Sequence, residues 1–340
     1  MIPRLDIRFT LRRQWRYWFG EQYEAAPGEY LLNHARTGIV MALHAALPKG
    51  GKVGVVAYNC HTVANAVANA GCTPVFVDVT EDLRIDIASV PRDLDAIVVT
   101  NLFGIRNDVE AIRKRCPNAI IIVDNAHGYG LPVEGDFTVY SINQGKFPAL
   151  GEGGILKVNG DRLSVKGKMD DLYSKLPTYG KLAQVKLFVQ MWVKAVAYSS
   201  LCYWFVRKLK KSSNPQVRQH VSLRQMDPGV RRLYKAWLPT AEQEIAKQRQ
   251  NALVMSERLK ELKIESLIGD NAFMLIAKTQ DPAALQNWFA KRGVETETHF
   301  ARCIEWATEF GYQLGSCPTA ERLSKQLLMI PTYRQIIDNR

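Results

Sequence analysis

The sequence lacks the marks of several protein classes. Its six cysteines (Cys60, Cys72, Cys116, Cys202, Cys303 and Cys317) are scattered over 340 residues with no CxxC pair. That spacing argues against a paired metal site and a dense disulfide framework, so the thiols read as reduced, in a cytoplasmic protein. The N-terminal MIPRLDIRFTLRRQWRYWFG is basic and aromatic, but it has no uninterrupted apolar stretch and no small-residue cleavage site; it does not read as a secretory signal. Zinc-finger spacing, an RNP-type aromatic motif and a basic-zipper pattern are missing as well. A net charge of +12 then points to phosphate-bearing small molecules or lipid headgroups rather than to nucleic acid. No internal repeat or low-complexity tract is present.

What is present is enough apolar residue, 47% of the chain, to bury a large core. From Asn33 to Leu156, short β-rich runs (KVGVVAY, TPVFVDV, DAIVVTNLF, AIIIVDNA) alternate with helical stretches such as HTVANAVANAG and VEAIRKRC. Apolar strands separated by helices predict a parallel sheet covered on both faces, in the α/β class. Ligands of such sheets gather at the carboxyl ends of the strands. Those ends carry Tyr58-Asn59-Cys60-His61, Asn101 and the stretch from Asp124 to His127. From Asp227 onward the texture becomes one long amphipathic helix, then strand-like FMLIAKT, a helix over PAALQNWFAKRG and a last helix after Pro318. The expected organisation is a large domain over 1–245 and a small C-terminal α+β domain over 246–340.

A basic, aromatic helical insertion over about 165–220 interrupts this plan. Its segment KLFVQMWVKAVAYSSLCYWFV, 186–206, carries only Lys186 and Lys194 as charges and runs into RKLKK. Lys194 near its middle would cost about 2.5 to 3.5 kcal/mol in a bilayer, which disfavours a span. Two readings stay open beside it: an interfacial helix over 182–211 lying on an anionic membrane with the N-terminus (Arg8, Arg12, Arg13, Trp15, Arg16, Trp18, Phe19), and a helix buried in the protein or in a subunit contact.

The chemistry centres on GDFTVYSINQGKFPALGEGGIL, 135–156, and VDNAHGYG, 123–130. A lysine beside a hydroxyl among glycines can form an imine with an aldehyde cofactor whose phosphate the hydroxyl holds. A carboxylate ending a buried strand needs a partner, and a protonated pyridine nitrogen is one. Taken singly, Lys146 reads as a solvated side chain, Asp124 as a structural acceptor and His127 as a core histidine. Their order changes that. ARTGIVMAL, VVAYNCHTVANAV, AGCTPVFVDV, TNLFG, DNAHGYG and SINQGKFPALGEGG follow one another as the corresponding motifs do in the DegT/DnrJ/EryC1/StrS family of pyridoxal-phosphate sugar aminotransferases, which this chain resembles; KQRQNA and CPTAERLSKQLLMIPTY are similar to that family's later helix and closing motif.

The resemblance implies a large cofactor-binding domain with a mixed, mostly parallel sheet flanked by helices. It implies that Lys146 forms the imine and shuttles the proton, that Asp124 pairs the pyridine nitrogen, that Ser141 holds the phosphate with the amides of Ala35 and Arg36, and that His127 lies beside the ring, with Asn101 and Glu152 near. The partners it implies are a keto sugar, expected to be nucleotide-linked, a glutamate or glutamine donor, and a second copy in a homodimer. The family's stacking aromatic is replaced here by Cys60, so stacking falls to His61 or is absent. The pre-helix Asn-Tyr-Arg motif has no counterpart in QHVSLRQMD. Dehydratases of the family carry histidine in place of the lysine, so Lys146 favours transamination. The competing expectations are an enzyme of this fold acting on a lipid-linked or amphiphilic keto substrate, a non-catalytic membrane-associated scaffold, and a nucleic-acid binder. No metal is expected.

Overall fold

A computed structural model describes residues 2–3, 14–159, 163–199, 202–203, 216–298 and 300–336. The apolar runs of the first half form a seven-stranded sheet. Its strands are β1 (Glu29–Leu32), β2 (Lys52–Val56), β3 (Thr73–Val77), β4 (Ala96–Thr100), β5 (Ile120–Asn125), β6 (Phe137–Ser141) and β7 (Gly154–Val158), in the order β1-β7-β6-β5-β4-β2-β3. β3, β2, β4, β5 and β6 are parallel, while β7 pairs antiparallel with β6 and with β1. Every residue of β4, β5 and β6 is buried, as strands covered on both faces must be. One face is covered by α1 (Ala35–Ala46) and α2 (His61–Asn69) around Leu43, Val67 and Phe137. The other is filled around Tyr58, Phe103 and Trp237.

Register decides which side chains meet. Thr100 lies opposite Asp124, and Asp124 opposite Val139, so the carboxyl ends of β4, β5 and β6 finish level. Gly154 pairs with Ser141 on one side and Leu32 on the other, which sets the start of β7 beside the chain entering α1.

A long helix expected from residue 229 onward is two helices, α6 (Pro228–Trp237) and α7 (Ala241–Glu261), separated by a 3-10 turn at Leu238–Thr240. Pro239 explains the break, since it has no N–H to donate and its ring crowds the preceding turn. Ile245 in α7 packs against the large domain at Gly130, whereas Met255 and Leu259 join the core under a second, antiparallel sheet. That sheet comprises β8 (Glu265–Ile268), β9 (Met274–Lys278) and β10 (Leu327–Pro331) in the order β10-β9-β8. The chain thus passes between its two sheets inside α7. Asp78 ties them a second time by accepting from the amides of Thr319 (3.0 Å) and Ala320 (2.8 Å) in the helix Pro318–Leu323.

The insertion forms helices at Leu163–Ser174 and Lys181–Ala197. The latter helix buries Leu187, Met191 and Ala195. No helix among the described residues is long and apolar enough to cross a membrane. Residues 204–215, and Arg8, Arg12 and Arg13 of the N-terminus, lie outside the described residues, so the expected interfacial segment is described only in part.

Candidate active site

Asp124 is the penultimate residue of β5, and its carboxylate is buried. Burial pushes that carboxyl above the ordinary range, against the amide of Ala126, which donates to Oδ1 (3.0 Å), and the nearby Lys146. Among the described residues that amide is the sole donor to the carboxylate. An anion held this way needs a cation or a proton from a ligand.

Lys146 follows β6 in a loop closed by hydrogen bonds from Lys146 N to Asn143 O (2.9 Å) and from Leu150 N to Ile142 O (3.0 Å). Withdrawal from water pulls its ammonium below the ordinary lysine range, and the attraction of Cys60 and Asp124 only partly offsets this. Its Nζ lies 2.6 Å from His127 Nε2. The amide of Phe103 donates to His127 Nδ1 (3.2 Å), so a neutral ring carries its proton on Nε2, facing the lysine. A neutral amine accepts that proton, in keeping with the lowered basicity. The His127 ring is stacked near Phe103 (5.2 Å) and Phe300 (6.0 Å). The TNLFG turn supplies this support: Phe103 sits at φ 54° and Gly104 at 82°, bringing an amide and a ring onto one histidine.

At the opposite wall α1 opens on Ala35 with no side-chain cap from His34; the Thr37 amide donates to His34 O (3.1 Å), while those of Ala35 and Arg36 have no partner among the described residues and can bind an anion. Gly154 lets β7 lie against the backbone of His34 and Ala35, where any Cβ would collide. This is the physical content of the GEGG motif. Ser141 ends β6 beside it. His34 bridges Asn143 (3.2 Å from Nδ1) and Glu152 (3.2 Å from Nε2), and the Tyr179 hydroxyl donates to Glu152 (2.9 Å). Burial alone would raise the Glu152 carboxyl, but His34, Tyr179 and Arg36 together hold it below its ordinary range.

Ala35, Arg36, Cys60, Asp124, His127, Ser141 and Lys146 line one cavity that opens to solvent. Three expected residues do not, one of them being Glu152, which lines the neighbouring cavity instead. His61, first residue of α2, turns away from this cavity and sets its ring edge-on to Trp306 (5.0 Å), so it is not the stacking residue. Asn101 is fully buried, donating to Asn125 Oδ1 (2.7 Å) and accepting from Asn107 (2.9 Å), and is part of the scaffold. Asn59, one of the strand-end residues, lines it too, and so do His34, Thr62, Thr100, Asn143 and Phe300, which had not been singled out. His34 had one signal: it stands just before a helix, where a capping Ser, Thr, Asp or Asn is usual.

The model of the DegT/DnrJ/EryC1/StrS aminotransferase family matches residues 31–184 and 233–340. The chain belongs to this family. DegT/DnrJ/EryC1/StrS aminotransferases use pyridoxal phosphate. The unmatched residues 185–232 include most of the helix Lys181–Ala197. The fold is that of the sugar aminotransferase CalS13 from Micromonospora echinospora (TM-score 0.70, 16% identity, covering 98% of this chain and 95% of that one). It is shared with Spr1654 from Streptococcus pneumoniae, a sugar aminotransferase solved in PMP and PLP forms (TM-score 0.70 for the PMP form, 15% identity, 96% and 90% covered). A pleiotropic regulatory protein from Geobacillus stearothermophilus is 29% identical over 158 residues, 41% of this chain and 42% of its own length. The chain therefore aligns with less than half the length of that curated relative.

The residues fit the family's cofactor. A carboxylate without a side-chain donor, an amine of lowered basicity and an open helix N-terminus beside Ser141 and Arg36 are the three fixtures that its ring nitrogen, aldehyde and phosphate require.

Proposed function

We propose that this protein is a pyridoxal-phosphate aminotransferase that converts a keto sugar, nucleotide-linked, to an amino sugar, with glutamate or glutamine as donor, working as a homodimer. The observation that carries this reading is the convergence on one cavity of Lys146, its ammonium pulled down by burial, and Asp124, its carboxyl pushed up. When bound, the cofactor supplies an aldehyde for amines and a ring that takes up the electron pair of a broken Cα–H bond. Lys146 Nζ, its basicity lowered by burial, is both the nucleophile and the atom that holds the moving proton. Asp124 holds a proton on the ring nitrogen. Ser141, the amides of Ala35 and Arg36, and the Arg36 guanidinium bind the phosphate. His127 Nε2–H orients what replaces the lysine beside it, and Phe300 takes over the shielding that His61 does not give.

A second reading has support from the helix Lys181–Ala197: the keto substrate is amphiphilic or lipid-linked. Gln190 and Lys194 of that helix, with Glu152 and Gln144, wall a second cavity that shares His34 and Asn143 with the first.

The deciding experiment is an absorbance spectrum of the protein supplied with pyridoxal phosphate, before and after glutamate. A band near roughly 420 nm that moves toward roughly 330 nm with glutamate, and whose lysine linkage Lys146→Ala loses, is expected. Absence of the band in wild type rejects catalysis and leaves a scaffold.

A further inference from the structure

We propose that the outward face of the helix Lys181–Ala197, joined to the N-terminal turn at Trp15–Phe19, docks on an anionic lipid bilayer. The helix is apolar on two sides. Leu187, Met191 and Ala195 face the protein and are buried, whereas Leu182, Val185, Val189, Trp192 and Val193 are 43 to 84% exposed. At 3.6 residues per turn those five lie in an arc about 100° wide, with Lys181 on one edge and Lys186 on the other. An exposed apolar stripe edged by lysines suits the boundary between headgroups and acyl chains, where the stems lie along the apolar surface and the ammonium groups reach phosphate. The stripe does not end with the helix. Phe188 packs on Trp18 (5.3 Å) and Tyr17 (5.1 Å), next to Trp15 and Phe19, which are 51% and 66% exposed. A contiguous exposed patch of this kind marks an interaction surface.

Charge selects the occupant. The helix Lys181–Ala197 and the stretch 14–20 carry Lys181, Lys186, Lys194 and Arg16 and no Asp or Glu. A second copy meeting this face about a two-fold axis would set like charge against like, and interface cores are depleted in charge. An anionic bilayer instead gains on the order of 1 kcal/mol for each basic residue near its surface. None of the five stripe residues lines the cavity of Lys146, so the inference stands apart from the amination reading.

The test is flotation of the full chain with vesicles of phosphatidylcholine alone and of phosphatidylcholine with phosphatidylglycerol, beside V189E/W192E. Both substituted side chains are exposed, so an unchanged melting temperature shows that the variant folds. Wild type should float with the anionic vesicles, less at high salt, and the variant at least about ten-fold less. Wild type that stays at the bottom of the gradient, or a variant that floats like wild type, overturns the proposal. So does a wild-type dimer that ignores lipid and that V189E/W192E splits, which would give the face to a second copy.

Discussion

Replacing Gly154 by alanine tests whether the glycines after Lys146 are there to let β7 touch the opening of α1. The backbone at 154 is not among the positive-φ positions, so alanine costs nothing in conformation and the substitution isolates one contact. An ideal Cβ would fall roughly 1 Å inside ordinary van der Waals separation from the carbonyl carbon of His34 and the nitrogen of Ala35. Both atoms are backbone, so no rotamer relieves the clash. Either β7 leaves its register with Leu32 and Ser141 or α1 moves away from the sheet. Overpacking of this kind costs about 1 to 3 kcal/mol, and the upper half of that range applies because neither neighbour is flexible. The movement also separates the Ala35 and Arg36 amides from Ser141, the groups assigned to the phosphate. Urea unfolding of the apoprotein should show a loss of about 2 kcal/mol or more, and a cofactor titration followed by absorbance should show affinity reduced about ten-fold or more. A variant within about 0.5 kcal/mol of wild type that binds pyridoxal phosphate equally well would refute the reasoning.

The thiols divide by burial. Cys60 and Cys202 are half-buried and should react with a thiol reagent in the native protein, whereas Cys72, Cys116, Cys303 and Cys317 should wait for denaturant, burial having pushed Cys303 up to about 12 and Cys317 to about 11. Saturation with pyridoxal phosphate should protect Cys60, which lines the cavity, and unchanged Cys60 labelling after loading would contradict its assignment there. Asp124→Asn should make the apoprotein more stable at pH 7 while weakening cofactor binding. The folded Asp124 carboxyl is raised, so the folded state holds a proton that the unfolded chain releases above about pH 3.9, and wild type loses stability as pH rises through that window. The advantage of the variant should therefore vanish below that window, and a variant less stable than wild type at pH 7 in urea would show that Lys146 outweighs burial.

The parallel strands were legible because β4 and β5 open on unbroken apolar runs (AIVV and IIIV) that stop at polar residues, a pattern with few other solutions. The small sheet was legible for the same reason in β9, whereas the helix break at Pro239 was read through as one long helix. Residues at the strand ends were harder, since sequence locates a strand end without saying which way each side chain turns there. Cys60 is the last extended residue before α2 and lines the cavity; His61, one position later, is already helical and points to Trp306. Asn101 stands at the end of β4, but two neighbouring asparagines draw its amide inward, as a buried polar group must be drawn to its partners. His34 escaped notice because its partners, Asn143 and Glu152, are more than a hundred residues away. The helix Lys181–Ala197 shows the same limit on a larger scale. Read as a string, its apolar residues leave a buried helix and a membrane-surface helix both open; only the fold, by taking Leu187, Met191 and Ala195 for the core, separates that face from the one left to meet something else.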